Sequence, residues 1–192
     1  MLKVKALYGA VVSAAILAPS TGPHLAKAVV RGVEGTMDFT ISSPSFTNGG
    51  EISRKFTCEG QDVSPQLNRS NAPKGTGAFA LLVDDPDAPV GNWNHWAIWN
   101  IPADSHGLAE GVAKDSRLAD GSIQGTNDFR KIGYNGPCPP AGKPHRYYFK
   151  LFAIEQKLKL ESSAGKKEVE SAIKGHILSQ AEWIGRYQRS QK

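Results

Sequence analysis

Three short apolar runs, each closed off by turn formers, constrain this chain more than any other feature. Residues 77–83 read GAFALLV, residues 94–101 NHWAIWNI and residues 146–154 RYYFKLFAI. Runs this short, aromatic and β-branched, suit buried strands better than core helices. Residues 39–43 (FTISS) read as a further strand with polar alternation. Residues 48–76, rich in Gly, Pro, Asn and Ser, read as loop with short strand pieces. Residues 103–145 carry Gly at 107, 111, 121, 125, 133, 136 and 142 and read as a long surface excursion. Such loops are usually functional or disordered.

The C-terminal pattern differs. Val169, Ile173, Ile177, Ala181 and Ile184 recur at steps of four, four, four and three. This predicts an amphipathic helix from Ser162 or Ser163 onward, packed on the domain by its apolar stripe. Lys166, Lys167, Arg186 and Arg189 would form its solvated face, and Gly175 a break or a close packing point. Strands first and a helix last argue a mainly β domain with helices at one end. The length of 192 residues suits one such domain, and no internal repeat is visible.

The first 28 residues have the layout of a secretory signal peptide. Lys3 and Lys5 make a basic start, residues 6–18 are uncharged and largely apolar, and Ala26-Lys27-Ala28 has the small-x-small form of a cleavage site. The apolar run is short for a membrane span, which needs about 20 residues; an uncleaved anchor or a buried helix is the alternative reading. Cleavage after Ala28 leaves a mature chain of 164 residues and removes Lys3, Lys5 and Lys27. The basic residues fall from 23 to 20 against 18 acids, and the net charge from +5 to +2. No basic run suited to nucleic acid remains. The expectation is an exported protein, periplasmic or secreted, with at most peripheral membrane contact. In an oxidising compartment Cys58 and Cys138 most simply form one disulfide, two unpaired thiols being the alternative.

The residues able to carry chemistry lie at ends of the predicted strands. Asp84, Asp85 and Asp87 follow the first apolar run, and Pro86 and Pro89 take the chain out of the sheet there. Asp85 and Asp87 should therefore sit near solvent. They read either as a polar binding site or as the solvated acids of a stiff turn. His95 and His145 open the next two strands. The stretch 133–140, GYNGPCPP, is a stiff loop, either a pocket wall or a structural corner. No GxSxG, HExxH or GxxxxGK[ST] motif occurs, so no nucleophile, metal site or cofactor is nominated and enzymatic activity is not expected.

Taken together, these segments resemble the phosphatidylethanolamine-binding protein family and its bacterial branch often labelled Raf kinase inhibitor-like. The matching stretches are FTCEG at 56–60 with DVSP at 62–65, DPDAP at 85–89, and His95-Trp96 with NIPA at 100–103. Asn127-Asp128, Gly133-Tyr134, Gly136-Pro137 with Pro139-Pro140, His145-Arg146-Tyr147 and GHIL at 175–178 follow in order. The resemblance implies two packed antiparallel sheets with Greek-key connections and helices at the C-terminal end. It divides the chain into a signal peptide (1–28), an extension (29–37), one domain (38–189) and a short tail (190–192).

It also implies a small anion-binding cavity surrounded by Asp85, Asp87, His95, His145 and Tyr147, with Pro139 and Pro140 in its wall. A phosphate or phosphoethanolamine-like ligand would find donors there. An aspartate would either fix a histidine tautomer and favour the imidazolium or receive an ammonium group. Two other readings remain open: a protein partner engaged through residues 103–145, and a hydrolase using the His and Asp cluster. The chain departs from the family in two places. Asn94-His95 stands where many eukaryotic members have two histidines, and Arg130 where the bacterial pattern commonly has a small residue. Inferences about kinase regulation by eukaryotic members do not transfer.

Overall fold

The structure, a computed structural model, describes residues 37–190. The signal-peptide reading, all but the last residue of the expected extension, and Gln191 and Lys192 of the tail lie outside the described residues.

Among the described residues nine strands and one α-helix follow in chain order: β1 (Thr40–Ser42), β2 (Gly50–Glu51), β3 (Leu67–Ser70), β4 (Ala78–Asp85), β5 (Trp93–Pro102), β6 (Gly107–Leu108), β7 (Ile123–Gln124), β8 (His145–Ile154), α1 (Lys166–Ile173) and β9 (Ile177–Tyr187). A 3₁₀ turn at Arg54–Phe56 precedes β3. The three apolar runs are β4, β5 and β8, adjacent strands at the centre of a six-stranded sheet ordered β2-β9-β8-β4-β5-β7. A three-stranded sheet, β1-β3-β6, forms the second layer. Pairing is antiparallel throughout except for β2 with β9. The domain is thus mainly β and two-layered.

Every residue of β4 is buried because both faces of the large sheet are covered. Alternation along a strand sends Phe79, Leu81 and Val83 into the core shared with Ile41, Leu67 and Leu108 of the small sheet. Ala78, Ala80 and Leu82 point the other way, onto Val169 and Ile173 of α1. At the strand's end the same alternation separates neighbouring acids. Asp84, fully buried, faces α1 and receives Lys166 Nζ at 2.9 Å and Lys150 Nζ at 3.4 Å. Asp85 falls on the opposite face.

The C-terminal region corrects the helical reading. The helix stops at Ile173; Gly175, with φ of 85°, turns the chain, and Ile177, Ala181 and Ile184 lie on β9. A positive φ is a backbone state that glycine adopts without steric penalty. Steps of four are also even steps, so they satisfy a strand's period of two as well as a helix's. Pairing of β9 along the whole length of β8, from His145↔Tyr187 to Ile154↔Ile177, decides between them. The charged residues follow suit: Lys166 is bound to buried Asp84 rather than solvated, and Arg186 lies on β9. The excursion at 103–145 is likewise no free loop. It holds β6 and β7, and Ser122, Gln124, Asn127 and Tyr134 within it are buried.

Candidate functional site

A β-bulge prepares the site. The β4–β5 register passes from Val83↔Trp96 to Asp84↔Asn94, leaving His95 as the extra residue. A bulge re-aims side chains locally. Trp96 stays on the core face, and His95 is turned toward Tyr147, with ring centroids 5.1 Å apart and edge-to-face. Asn94 holds the bulge from the other side, its Nδ2 donating to the carbonyls of Val83 (3.2 Å) and Trp96 (3.1 Å). Arg130 has φ of 60° in the turn that carries Phe129.

At this end of the large sheet lies a cavity of about 230 Å³ lined by Asp85, Ala88, Pro89, Val90, Trp93, His95, Phe129, Cys138, Pro139, Pro140 and His145. The site residues expected from sequence divide into three groups. Asp85, His95, His145, Pro139 and Pro140 come together in its lining. Tyr147 stands behind it, fully buried against His95. Asp87 is turned away. Its carboxylate takes Arg146 Nη2 at 2.7 Å, Arg146 Nε at 2.8 Å and the Arg146 backbone N–H at 2.9 Å. These bonds hold the Asp87 pKa down at about 2.

The polar floor is fixed by hydrogen bonds made behind it. His95 Nδ1 lies 2.7 Å from the Asn135 carbonyl, which can only accept, so Nδ1 carries the proton and Nε2 is left for the cavity. Burial outweighs the neighbouring Asn135 carbonyl and Asp85 carboxylate and holds the His95 pKa below its ordinary value. The neutral ring therefore offers Nε2 as an acceptor. His145 Nδ1 lies 2.8 Å from Asp85 Oδ2, fixing that ring by the same logic. Asp85 is itself buried, against the expectation of a solvent-facing acid, and its Oδ1 accepts the Asp87 backbone N–H at 2.9 Å. The buried Tyr147 hydroxyl makes no hydrogen bond of ordinary geometry among the described residues. Burial and then the Asp85 charge raise its pKa, so it remains a donor.

The proline corner is clamped to the 57–62 loop. Cys58 and Cys138 form the disulfide, Cys58 N–H donates to the Pro137 carbonyl at 3.1 Å, and Asp62 accepts Gly136 N–H at 2.6 Å and Asn135 Nδ2 at 3.0 Å. Gly136 is required here: a Cβ would stand 2.0 Å from the Phe56 carbonyl oxygen. Asn127 completes the frame by donating to the Gly133 carbonyl and to Asn135 Oδ1, each at 2.8 Å. Asp62 and Asn127 fall in stretches that already mark the sequence, but nothing there gives them this supporting role. Trp93, Val90 and Phe129, which form apolar wall, carry no sequence signal for it; Phe129 meets Trp93 and His95 edge-on at 5.5 and 5.2 Å.

Fold and cavity together define a two-sheet β domain with a recess built at one end of its larger sheet. The chain belongs to the phosphatidylethanolamine-binding protein family, whose sequence model matches residues 42–188. It is 46% identical to a UPF0098 protein of Methanothermobacter thermautotrophicus over 149 residues, 78% of this chain and 98% of that one. A UPF0098 protein of Aquifex aeolicus is 45% identical over 151 residues, 78% of this chain and 88% of the relative. Among solved structures, Escherichia coli YbcL, described as a new member of the mammalian family, superposes with a TM-score of 0.75 at 34% identity, covering 80% of this chain and all of that one. A homologue from Chlamydia trachomatis gives 0.73 at 34% identity, covering 79% and 98%.

Proposed function

We propose that this protein binds a small phosphorylated ligand in the Asp85–His95–His145 cavity. The observation that carries the reading is the set of unspent polar groups at the cavity floor. Both histidines commit Nδ1 to the protein and keep Nε2, and Tyr147 stands behind them with its buried hydroxyl under the influence of Asp85. A phosphate monoester, as the monoanion, has a P–OH that can donate to His95 Nε2. An ethanolamine ammonium could meet Asp85. The apolar wall from Val90, Trp93, Phe129 and the prolines would exclude water around such a head group and strengthen its hydrogen bonds.

Binding without turnover is the reading we favour. The lining contains no Ser or Thr, and its one cysteine, Cys138, is spent in the disulfide. The same bridge supports export, since disulfides persist in oxidising compartments. The test is titration of the oxidised protein with inorganic phosphate and with phosphoethanolamine, followed by backbone and histidine NMR signals and by calorimetry. Shifts should cluster at Asp85, His95, His145 and Tyr147, and His95→Ala and His145→Ala should each weaken binding at least tenfold. No shifts at millimolar ligand, or unchanged affinity in both variants, would refute the proposal.

A further inference from the structure

Adjoining the cavity at His145 lies a second recess of about 410 Å³ lined by Asp87, Lys143, Pro144, His145, Arg146 and Arg186. His145 is common to both linings. Three cations meet one carboxylate there. Asp87 is committed to Arg146 through both of its oxygens. Arg186 sits directly across from Arg146 on the neighbouring strand, in a pairing where like charges repel. Neither Arg186 nor Lys143 has a carboxylate within salt-bridge distance among the described residues, and both side chains are exposed. The fold thus places two cations outside any ion pair among the described residues in a cleft that adjoins the candidate phosphate cavity. On its other side Arg186 faces Glu51 of β2 across the sheet, an opposite-charge neighbour, but no Glu51–Arg186 ion pair forms among the described residues, so neither neighbour holds the guanidinium.

We propose that this cleft is a second anionic subsite, and that the ligand carries two separate anionic groups: a phosphoryl group in the cavity and a second acidic group, phosphate or carboxylate, held by Lys143 and Arg186. The inference rests on the reading of the cavity as a phosphate site and adds to it the class of molecule taken. A guanidinium offers paired N–H donors that match a phosphate or carboxylate. The ammonium of Lys143 adds charge without fixed geometry. His145 stands between the two anionic groups, and its Nδ1 is already held by Asp85.

The test compares alkanediol bisphosphates of two to six carbons with the corresponding monophosphates, by calorimetry on the oxidised protein at fixed ionic strength. At least one spacer length should bind tenfold or more tightly than its monophosphate. Arg186→Ala and Lys143→Ala should each remove most of that gain and leave monophosphate affinity within about twofold. Arg186→Lys should keep part of it. Equal affinity for mono- and bisphosphates at every spacer, with the monophosphates binding, would overturn the second subsite alone. A gain that survives both alanine variants would do the same. Failure of the monophosphates and inorganic phosphate to bind would overturn the cavity reading and this inference together. A carboxylate series, in which an alkyl phosphate carries a terminal acid, then tells which second group is preferred.

Discussion

Asp85 Oδ2 and His145 Nδ1 are 2.8 Å apart, and both side chains are nearly closed to solvent, at 4% and 13% exposure. The contact joins the end of β4 to the start of β8, two strands whose sequences stand 60 residues apart. It reconciles the cavity's acids with the anionic ligand proposed for it. The Asp85 carboxylate already holds His145 Nδ1 with Oδ2 and the Asp87 backbone N–H with Oδ1, so toward an anion its main act is to orient the imidazole. Replacing Asp85 with Asn should keep the shape and lose the charged acceptor. Hydrogen bonds to a charged group contribute about 1.5–3 kcal/mol. The expected outcome is about tenfold weaker phosphate binding, with Tm lowered by only a few degrees. Calorimetry and thermal unfolding on the same sample check it; undiminished affinity would show that Asp85 does not act through the histidine.

Phosphate binding should take up a proton. The neutral His95 ring presents Nε2 as an acceptor, so a dianion entering at pH 8 must bring a proton to that nitrogen or carry one itself. Affinity should then rise about tenfold from pH 8 to pH 6. Calorimetry in two buffers of different ionisation enthalpy should report uptake near one proton per site, and markedly less in His95→Ala. The same depressed pKa affects stability with the opposite sense of pH. Below the ordinary histidine range, near 6.5, the unfolded chain binds a proton that the native ring resists. Ligand-free protein should lose stability as pH falls through that window, and saturating phosphate should reduce the loss.

Asp87 belongs to the scaffold rather than to the cavity floor. Its pKa of about 2 lies below the ordinary 3.8 because Arg146 binds the charged form. A depressed carboxyl pKa adds stability above the unfolded value and loses it as pH falls from about 4 through 2. Allowing for the partial exposure of the pair, the contribution is about 1 kcal/mol. Asp87→Asn should lower unfolding free energy by that amount at pH 7 and by nothing measurable near pH 2, in urea titrations at the two pH values. Monophosphate affinity should change less than threefold. A tenfold loss would return Asp87 to the floor of the site.

Much of this architecture is legible in the residues themselves. The three apolar runs locate the central strands because a strand buried on both faces must be apolar throughout, as residues 78–83 are. His95 and His145 could be placed at strand ends for the same reason, and the family resemblance brought them to one cavity. The helix that became β9 was not legible, because a step of four fits both periods and the deciding term is pairing with β8, a long-range contact. The burial of Asp85 was hidden too. Local chemistry marks DPDAP as a polar turn, whereas His145, far along the chain, covers it. Asp87 and Asp85 look equivalent in sequence; only the position of Arg146 separates their roles.

The Cys58–Cys138 bridge should matter more for stability than for the shape of the cavity. It closes a loop of 80 residues, and in the chain-entropy model such a crosslink destabilises the unfolded chain by about 4 kcal/mol, with measured values often lower. In the folded protein the same two loops are also joined by Cys58 N–H to the Pro137 carbonyl and by Asp62 to Gly136 and Asn135. Those bonds remain when the sulfurs part, and they hold the carbonyl of Asn135 that orients His95. The double variant Cys58→Ser with Cys138→Ser should therefore lose about 2–4 kcal/mol of unfolding free energy. Its phosphate affinity should fall only a few-fold at a temperature where it is still folded. Urea unfolding and calorimetry on oxidised, reduced and double-serine protein separate the two effects. Collapse of affinity with little change in stability would reverse the assignment and make the bridge a direct determinant of the cavity wall, through Cys138 and its neighbours Pro139 and Pro140.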